Sequence, residues 1–253
     1  MTPADYLPVV ALAFLLGIVD ASFGMGYGTL LTPVLLMLGF DPLRVVPAVL
    51  VSQLAGDFLA ALFHHRFKNV DLSFGSIHFK IAVTLAVLSI AGSVAAVLVA
   101  INLPMLYLNI YIGLSATVSG LAILAVKTRN RRFSWRRLSC LGSFAAFNKG
   151  ISGGGWGPIV VAGQILTGVE MKAAIGITTL SEGVICAFAV VTYFLVYRSM
   201  DWLLLAFLSV GIALSTPFAA LIVKKVESRK MKLIIGLLTI TLGLSTVLKT
   251  IYF

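Results

Sequence analysis

Two short glycine-rich segments interrupt long apolar runs and limit what this chain can fold into. The second, Ser152–Pro158, reads SGGGWGP, and the first, Phe23–Thr29, reads FGMGYGT. Glycine inside a helix costs about 1 kcal/mol relative to alanine, so each segment predicts a break between two helices. At membrane depth such a break is tolerated only where the freed backbone is buried in protein or lines a cavity. Two breaks at matching positions of two halves therefore point to a ligand site between the halves.

The apolar runs identify the chain as an all-α polytopic membrane protein. Of its 253 residues 60% are hydrophobic and 11% are charged, and the mean hydropathy is +1.06. A soluble domain carries about 25% charged residues. Most runs are long enough to cross a hydrocarbon core of about 30 Å as helices. No stretch remains for a soluble domain, and the first five residues lack the basic region and cleavage site of a signal peptide.

The net charge of +10 does not indicate nucleic-acid binding, because its basic residues flank apolar segments. The segment Lys127–Arg137, with Phe133 and Trp135 interleaved, is expected to touch anionic membrane lipid. Cys140 and Cys186 lie in apolar context without CxxC or histidine spacing, and we expect both to be small buried hydrophobes. The sequence predicts no cofactor, no metal site and no nucleic-acid partner, and it is compatible with a homo-oligomer.

Five helical segments are predicted in the first half, and the second half repeats their order. The predicted segments cover residues 6–22, 27–38, 43–63, 77–101 and 105–126. A shift of 129 residues places the first glycine segment on the second, Ser52 on Ser181, Gln53 on Glu182 and Asp20 on Lys149. A shift of 123 residues pairs Gly113 and Gly120 with Gly236 and Gly243. We predict a membrane repeat at 1–126, a basic cytoplasmic linker at 127–137 and a second repeat at 138–253.

Charge predicts that the two repeats are inverted. The linker and the later basic segment 224–232 are expected in the cytoplasm, whereas the corresponding first-half loop Asn102–Pro104 carries no charge and is expected outside. Each repeat must then cross the membrane an odd number of times, so its first two helices enter and leave on one side. The second of them is too short to span comfortably, which favours a re-entrant hairpin or one full and one half helix. Both chain ends are expected outside.

The start of a helix at each break is a candidate anion site. The first N–H groups of a helix lack partners, and the helix dipole places about half a positive charge there. Glycine lets an anion approach this backbone, and Pro158 suits an early helical position. Close packing of helices through small residues is the alternative interpretation.

Charged residues inside apolar spans are the other candidates. Lys149 precedes the second break and Asp20 the first, so Lys149 could supply a positive charge to the anion, with Asp20 as its partner or as a proton carrier. Alternatively, both anchor water-exposed helix ends. Asp57 and Glu182 either titrate during transport or are neutral structural groups. The hydroxyls of Thr178, Thr179 and Ser181 are suitable oxyanion donors.

His64, His65 and His78 fit an interfacial anchor better than a metal or phosphate site.

The two glycine segments, their symmetric spacing and the two-repeat plan resemble the sulfite exporter TauE/SafE family of permeases. The resemblance covers essentially the whole chain, and its specific part is confined to residues 17–57 and 142–183. It implies a multi-pass protein of the bacterial inner membrane that exports sulfite, sulfoacetate or another small sulfur-containing or organic anion. The first segment departs from the second by having Met25 where the second has Gly154, so the two half-sites are not equivalent.

The expected site follows from the residue patterns and from the family resemblance together. The substrate-binding candidates are Gly24, Gly26, Tyr27, Gly28, Gln53, Lys149, Ser152, Gly153, Gly154, Gly155, Trp156, Thr178, Thr179 and Ser181. The coupling or ion-pair candidates are Asp20, Asp57 and Glu182. We expect a secondary transporter that works by alternating access, in which the site opens to one side of the membrane at a time. An anion channel built on the same helix ends is the alternative. An intramembrane hydrolase is disfavoured because Ser152 has no evident base, and a scaffold protein would not need paired glycine breaks.

Overall fold

Ten helices make up the described part of the chain. The structure is a computed structural model, and it describes residues 7–24, 26–125, 135–166, 168–197, 199–222 and 228–252. The first five helices are α1 Leu7–Phe23, α2 Tyr27–Met37, α3 Pro42–Arg66, α4 Ile77–Asn102 and α5 Met105–Ala125. The second five are α6 Trp135–Ser152, α7 Trp156–Leu166, α8 Met171–Val196, α9 Trp202–Ile222 and α10 Ser228–Tyr252. The second set repeats the first, with a short helix in second place.

The all-helical membrane architecture is confirmed. Five helices, α3, α4, α5, α8 and α9, are long and apolar enough to cross a membrane, whereas α1 and α2 are shorter apolar helices. Much of the outer surface is apolar, including Val87, Leu121 and Leu214. Nearly all of the linker and the basic residues Lys224 and Lys225 lie outside the described residues, and α6 already begins at Trp135, slightly before the expected start of the second repeat.

Local signals in the sequence explain where the short helices end and the long ones begin. Gly39 ends α2 with a φ of 92°, and the carbonyl oxygens of Leu35 and Leu36 accept hydrogen bonds from Phe40 and Gly39. Asp41 then caps α3 by accepting from the N–H of Leu43 at 2.7 Å. The second half has the same glycine turn, because Gly168 also has a φ of 92° in the link before α8.

The two halves pack against each other reciprocally. Helix α1 lies against α9 and α6 lies against α4, so the first helix of each half contacts the fourth helix of the other. Likewise α3 contacts α9 and α8 contacts α4. The equivalent helices α3 and α8 contact each other, as do α5 and α10. Each of these contacts therefore has a counterpart when the halves are exchanged.

Equivalent helices of the two halves run antiparallel. A methyl group on Gly243 would lie 2.5 Å from the carbonyl oxygen of Gly113, and one on Gly120 would lie 2.8 Å from that of Gly236. A later residue of α5 therefore contacts an earlier residue of α10, as in an antiparallel pair of helices. The same holds for α3 and α8, where Gln53 contacts Glu182 and His64 lies beside Gly176. Glycine at these crossings lets the helix backbones approach closely.

Candidate functional site

Both predicted glycine breaks are present. Helix α1 ends at Phe23 and α2 begins at Tyr27, while α6 ends at Ser152 and α7 begins at Trp156. Gly24 and Gly26 have φ angles of 65° and 127°, and Gly153 and Gly155 have 71° and 80°. Residues other than glycine rarely adopt these backbone angles, so the turn at each break depends on glycine. Met25 lies outside the described residues.

The two breaks are in direct contact. A methyl group on Gly28 would overlap the carbonyl oxygen of Gly153, and one on Gly154 would lie 2.6 Å from the backbone nitrogen of Thr29. The first turn of α2 therefore packs directly on the segment that leads into α7. The amino ends of the two short helices come together at one place, where only glycine allows this approach.

A narrow crevice lies at this junction, and it is too tight to hold a water molecule. Residues of α2, α5 and the second break line this crevice. The lining residues are Gly28, Thr29, Pro33, Ile112, Ser115, Ala116, Ser152 and Gly154. The breaks are thus closed against each other in this conformation.

A polar network around the second break was missed by the sequence interpretation. The hydroxyl of Tyr111 donates to Oδ1 of Asn148 at 3.0 Å, and Nδ2 of Asn148 donates to the carbonyl of Gly154 at 3.4 Å. The hydroxyl of Ser152 accepts from the N–H of Gly154 at 3.2 Å and donates to the carbonyl of Asn148 at 2.8 Å. Asn148 lies in an apolar run just before the break, and a polar residue at that position could have identified it as a site candidate from the sequence.

Lys149 forms a buried ion pair with Glu182. Its Nζ lies 2.6 Å from Oε1 of Glu182, and it also donates to Oε1 of Gln53. Nε2 of Gln53 donates to the same carboxylate oxygen at 3.3 Å. All three residues are buried, with Lys149 0%, Glu182 4% and Gln53 1% exposed. Gln53 and Glu182, the residues paired by the repeat shift, meet where α3 crosses α8.

Asp20 and Asp57 complete this cluster. Oδ1 of Asp20 accepts from the N–H of Tyr27 at 3.0 Å, so Asp20 caps the start of α2. Oδ2 of Asp57 is buried with no hydrogen-bond partner among the described residues. Both carboxyls lie close enough to Glu182 and Lys149 to interact electrostatically. Asp20 and Lys149 are buried and not at water-exposed helix ends, and the direct partner of Lys149 is Glu182.

Tyr27 gives the first prediction. Its hydroxyl and that of Ser52 lie 3.0 Å apart, and both side chains are fully buried. Ser52→Ala leaves the Tyr27 hydroxyl unpaired in the core and is expected to lower the free energy of unfolding by about 1–3 kcal/mol. Tyr27→Phe, and the double variant with Ser52→Ala, should lose less, because neither leaves a buried hydroxyl alone. Thermal unfolding of the four proteins in detergent measures this, and equal midpoints for the two single variants would contradict it.

The hydroxyls proposed on α8 are engaged within the protein. Thr178 accepts from Nε2 of Gln164 at 2.7 Å, while Thr179 and Ser181 donate to carbonyls of their own helix. Trp156 is fully buried, and its Nε1 has no hydrogen-bond partner in the described part of the chain. In this conformation the glycine breaks contact each other, whereas the three hydroxyls form hydrogen bonds with groups of α7 and α8.

The histidines fix the link between α3 and α4. His64 is buried within the protein: Nε2 lies 2.7 Å from the carbonyl of Ala21, and Nδ1 accepts from Asn69 at 3.1 Å. His64 therefore ties the end of α3 to the last turn of α1. Ring nitrogens of His65 and His78 accept from the N–H groups of Leu72 and Asp71. Hydrogen bonds from Ser73 lower the pKa of the Asp71 carboxyl in this link.

The two cysteines differ. Both are free thiols, but only Cys186 is buried, beside the Lys149 cluster. Cys140 is exposed on α6, so the expectation that it is buried was wrong. Its apolar sequence context reflects the apolar outer surface of the helices.

Comparison with known proteins assigns the family. The sequence profile described as "Sulfite exporter TauE/SafE" matches residues 9–246. The chain is also similar to the "Probable membrane transporter protein YtnM" of Bacillus subtilis (strain 168), with 26% identity over 234 residues, which covers 87% of this chain and 75% of that protein. No solved structure matches the chain. The match extends over both halves and both breaks, and the chain belongs to the sulfite exporter TauE/SafE family.

Proposed function

We propose that this protein is a secondary transporter that exports sulfite or a small organosulfonate or organic anion across the bacterial inner membrane. Its family is one of membrane transporters and not of enzymes, as the sequence predicted. The observation that carries the proposal is the direct contact between the two glycine breaks, which gathers the amino ends of α2 and α7 at one buried place. The anion binds there.

The chemistry of helix starts suits this substrate. Their first N–H groups and the positive end of the dipole favour an anion, and glycine lets the anion approach the backbone. Ser152 and Asn148 already bond to the second break, and Thr29 lines the crevice. Sulfite and sulfonates present three oxygens to such donors, so binding needs no metal and no covalent step.

Alternating access follows from an inverted relation between the repeats. Antiparallel packing of α5 on α10 and of α3 on α8 supports inversion, since equivalent helices of inverted repeats run in opposite directions. The breaks are closed in the present conformation, so the anion can enter only after they separate. Rocking one set of helices against the other would open the crevice first to one side and then to the other.

Exchange in proteoliposomes tests the proposal. Labelled sulfite is expected to enter vesicles in a saturable manner, and unlabelled sulfite inside should accelerate that entry, as a carrier requires. Flux that does not saturate and is not accelerated would indicate a channel, and flux equal to that of empty vesicles would reject anion transport. Thiosulfate, sulfoacetate and chloride as competitors would define the accepted anion.

A matched pair of glycine variants tests the site. Gly155 and Gly39 have similar positive φ angles of 80° and 92°, so alanine strains the backbone equally at both. A methyl group at Gly155 would overlap Nδ2 of Asn148, whereas at Gly39 it would meet no atom within 4 Å. Gly155→Ala is expected to abolish exchange and Gly39→Ala to retain it. Retained exchange in both would exclude the second break as the site.

A further inference from the structure

The buried cluster beside the breaks is poor in positive charge. It contains the carboxyl groups of Asp20, Asp57 and Glu182, and Lys149 is its one cation within the described residues. With every carboxyl ionised, negative charge would exceed positive charge in surroundings where an unpaired ion is costly. An anion approaching this cluster would be repelled. Binding of a proton to one carboxyl removes that repulsion.

The cluster is close enough to the breaks for this charge to matter. The carbonyl of Lys149 accepts from the N–H of Gly153 at 2.8 Å, and Asp20 accepts from the N–H of Tyr27 at 3.0 Å. Oε1 of Gln53 would lie 3.0 Å from a methyl group on Gly28. The side chain of Asp20 thus bonds directly to the start of α2, and the backbone of Lys149 bonds to the second break, so an anion held at the breaks would sense the protonation of the cluster.

Hydrogen bonding distinguishes Asp57 from the other two acids. Glu182 is paired with Lys149 and Gln53, and Asp20 accepts the N–H of Tyr27. Oδ2 of Asp57 has no such partner in the part of the chain that the structure describes, although the residue is 2% exposed. A buried carboxyl oxygen without a donor is stable when it carries a proton and unstable as part of a carboxylate.

The surroundings of Asp57 supply one positive charge. The groups that interact with it are Glu182 and Cys186 from α8, Asp20 from α1, Tyr27 from α2 and Lys149 from α6. Helix α9 carries no titratable residue, and α5 carries only Tyr107 and Tyr111. On α3 itself, His64 lies two turns further on and is bound to the carbonyl of Ala21. Lys149 is already paired, so no free cation stabilises an Asp57 carboxylate within the described residues.

We propose that Asp57 carries a proton that binds and crosses the membrane together with the anion. This rests on the proposed function and adds its coupling ion; a divalent anion together with one proton still carries one negative charge, so the inside-negative membrane potential drives the pair outward. The Asp57 carboxylate takes a proton from water on the side to which the site is open, the anion binds, and the breaks close. When the site opens to the other side, the anion leaves and the carboxyl releases its proton to water there. By linkage, each ligand strengthens binding of the other by the same factor.

The test uses proteoliposomes and labelled sulfoacetate, whose charge stays constant near neutral pH, whereas sulfite itself takes up a proton there. Exchange at equal pH on both sides measures anion movement without net proton movement. Net uptake is then driven by a pH gradient with the voltage held at zero by potassium and valinomycin. With one proton per anion, the wild type is expected to accumulate sulfoacetate up to about tenfold per pH unit.

Asp57→Asn mimics the protonated acid and should affect exchange and gradient-driven accumulation differently. The variant is expected to keep exchange, which also shows that it folds, and to lose accumulation driven by the pH gradient. Glu170→Gln removes an exposed carboxyl outside the cluster and should behave as the wild type in both. Wild-type accumulation in Asp57→Asn, loss of exchange in a folded Asp57→Asn, or no gradient-driven accumulation in an exchanging wild type would overturn the inference. Absence of wild-type exchange with both sulfite and sulfoacetate would overturn the proposed function, and this inference with it.

Discussion

Gly28→Ala is expected to lower anion exchange by about 100-fold or more, because a misplacement of about 1 Å at a functional site has effects of that size. The added methyl group would overlap the carbonyl oxygen of Gly153 and lie 2.8 Å from its carbonyl carbon. These are backbone atoms, so no side-chain rotation relieves the clash. The two breaks must move apart, which disrupts the junction that we assign to the anion. Overpacking is also expected to cost about 1–3 kcal/mol of folding free energy.

Gly183→Ala is the matched control, since it also adds a methyl group within a helix near the same cluster. Its closest neighbour would be Cβ of Asp57 at 3.3 Å, followed by the ring of Phe58 at 3.5 Å. These contacts are with side-chain atoms and need only a slight shift, and alanine favours the helix by about 1 kcal/mol. Exchange should persist in this variant. Exchange at the wild-type rate in Gly28→Ala would show that the contact between the breaks is dispensable.

Removing Lys149 is expected to produce the largest loss of stability, about 3–5 kcal/mol for Lys149→Met. The substitution roughly keeps the volume of the side chain but leaves Glu182 without its counter-ion in a site that is nearly free of solvent exposure. Asp20 lies in electrostatic range of Glu182, and its carboxylate would add to the uncompensated charge. The expected measurement is a marked fall of the thermal unfolding midpoint in detergent.

A double-mutant cycle with Glu182→Gln separates the ion pair from simple packing. The double variant removes both charges together, so it should be more stable than the sum of the single effects predicts, by about 1–3 kcal/mol. Lys80→Met, which removes an exposed lysine at the start of α4, is the control and should change the midpoint little. Additive effects in the cycle would mean that Lys149 and Glu182 do not stabilise each other.

The order of helices and the positions of both breaks could be predicted from sequence, because these features depend on local patterns. The predicted segment 27–38 corresponds to α2 at Tyr27–Met37, and 77–101 corresponds to α4 at Ile77–Asn102. Glycine, proline and the cap at Asp41 determine these boundaries within a few residues of the chain. The match of Gln53 with Glu182 under the repeat shift also anticipated that these two polar residues hold corresponding places.

The partners of the buried charges could not be predicted in the same way. Periodicity tells which face a residue occupies but not which distant helix lies opposite it. Lys149 was therefore considered as a partner of Asp20, whereas its nearest acid comes from α8. Asn148 and Tyr111, on α6 and α5, meet only through the packing around the second break. His64 was expected at the interface because of its charged neighbours, but its ring turns inward to α1.

The crossing of α3 and α8 has a consequence for how two halves of this kind can be combined in one chain. Gln53 and Glu182 occupy the same position in the two halves, and each contacts its own counterpart. A homodimer of one half would place two identical side chains there: two copies of the second half would bring two carboxylates together, and two copies of the first half would supply two amides and no lysine. Fusion of the halves into one gene lets one copy keep the acid while the other becomes its neutral hydrogen-bond donor. Separately expressed halves should thus pair with each other in preference to pairing with themselves.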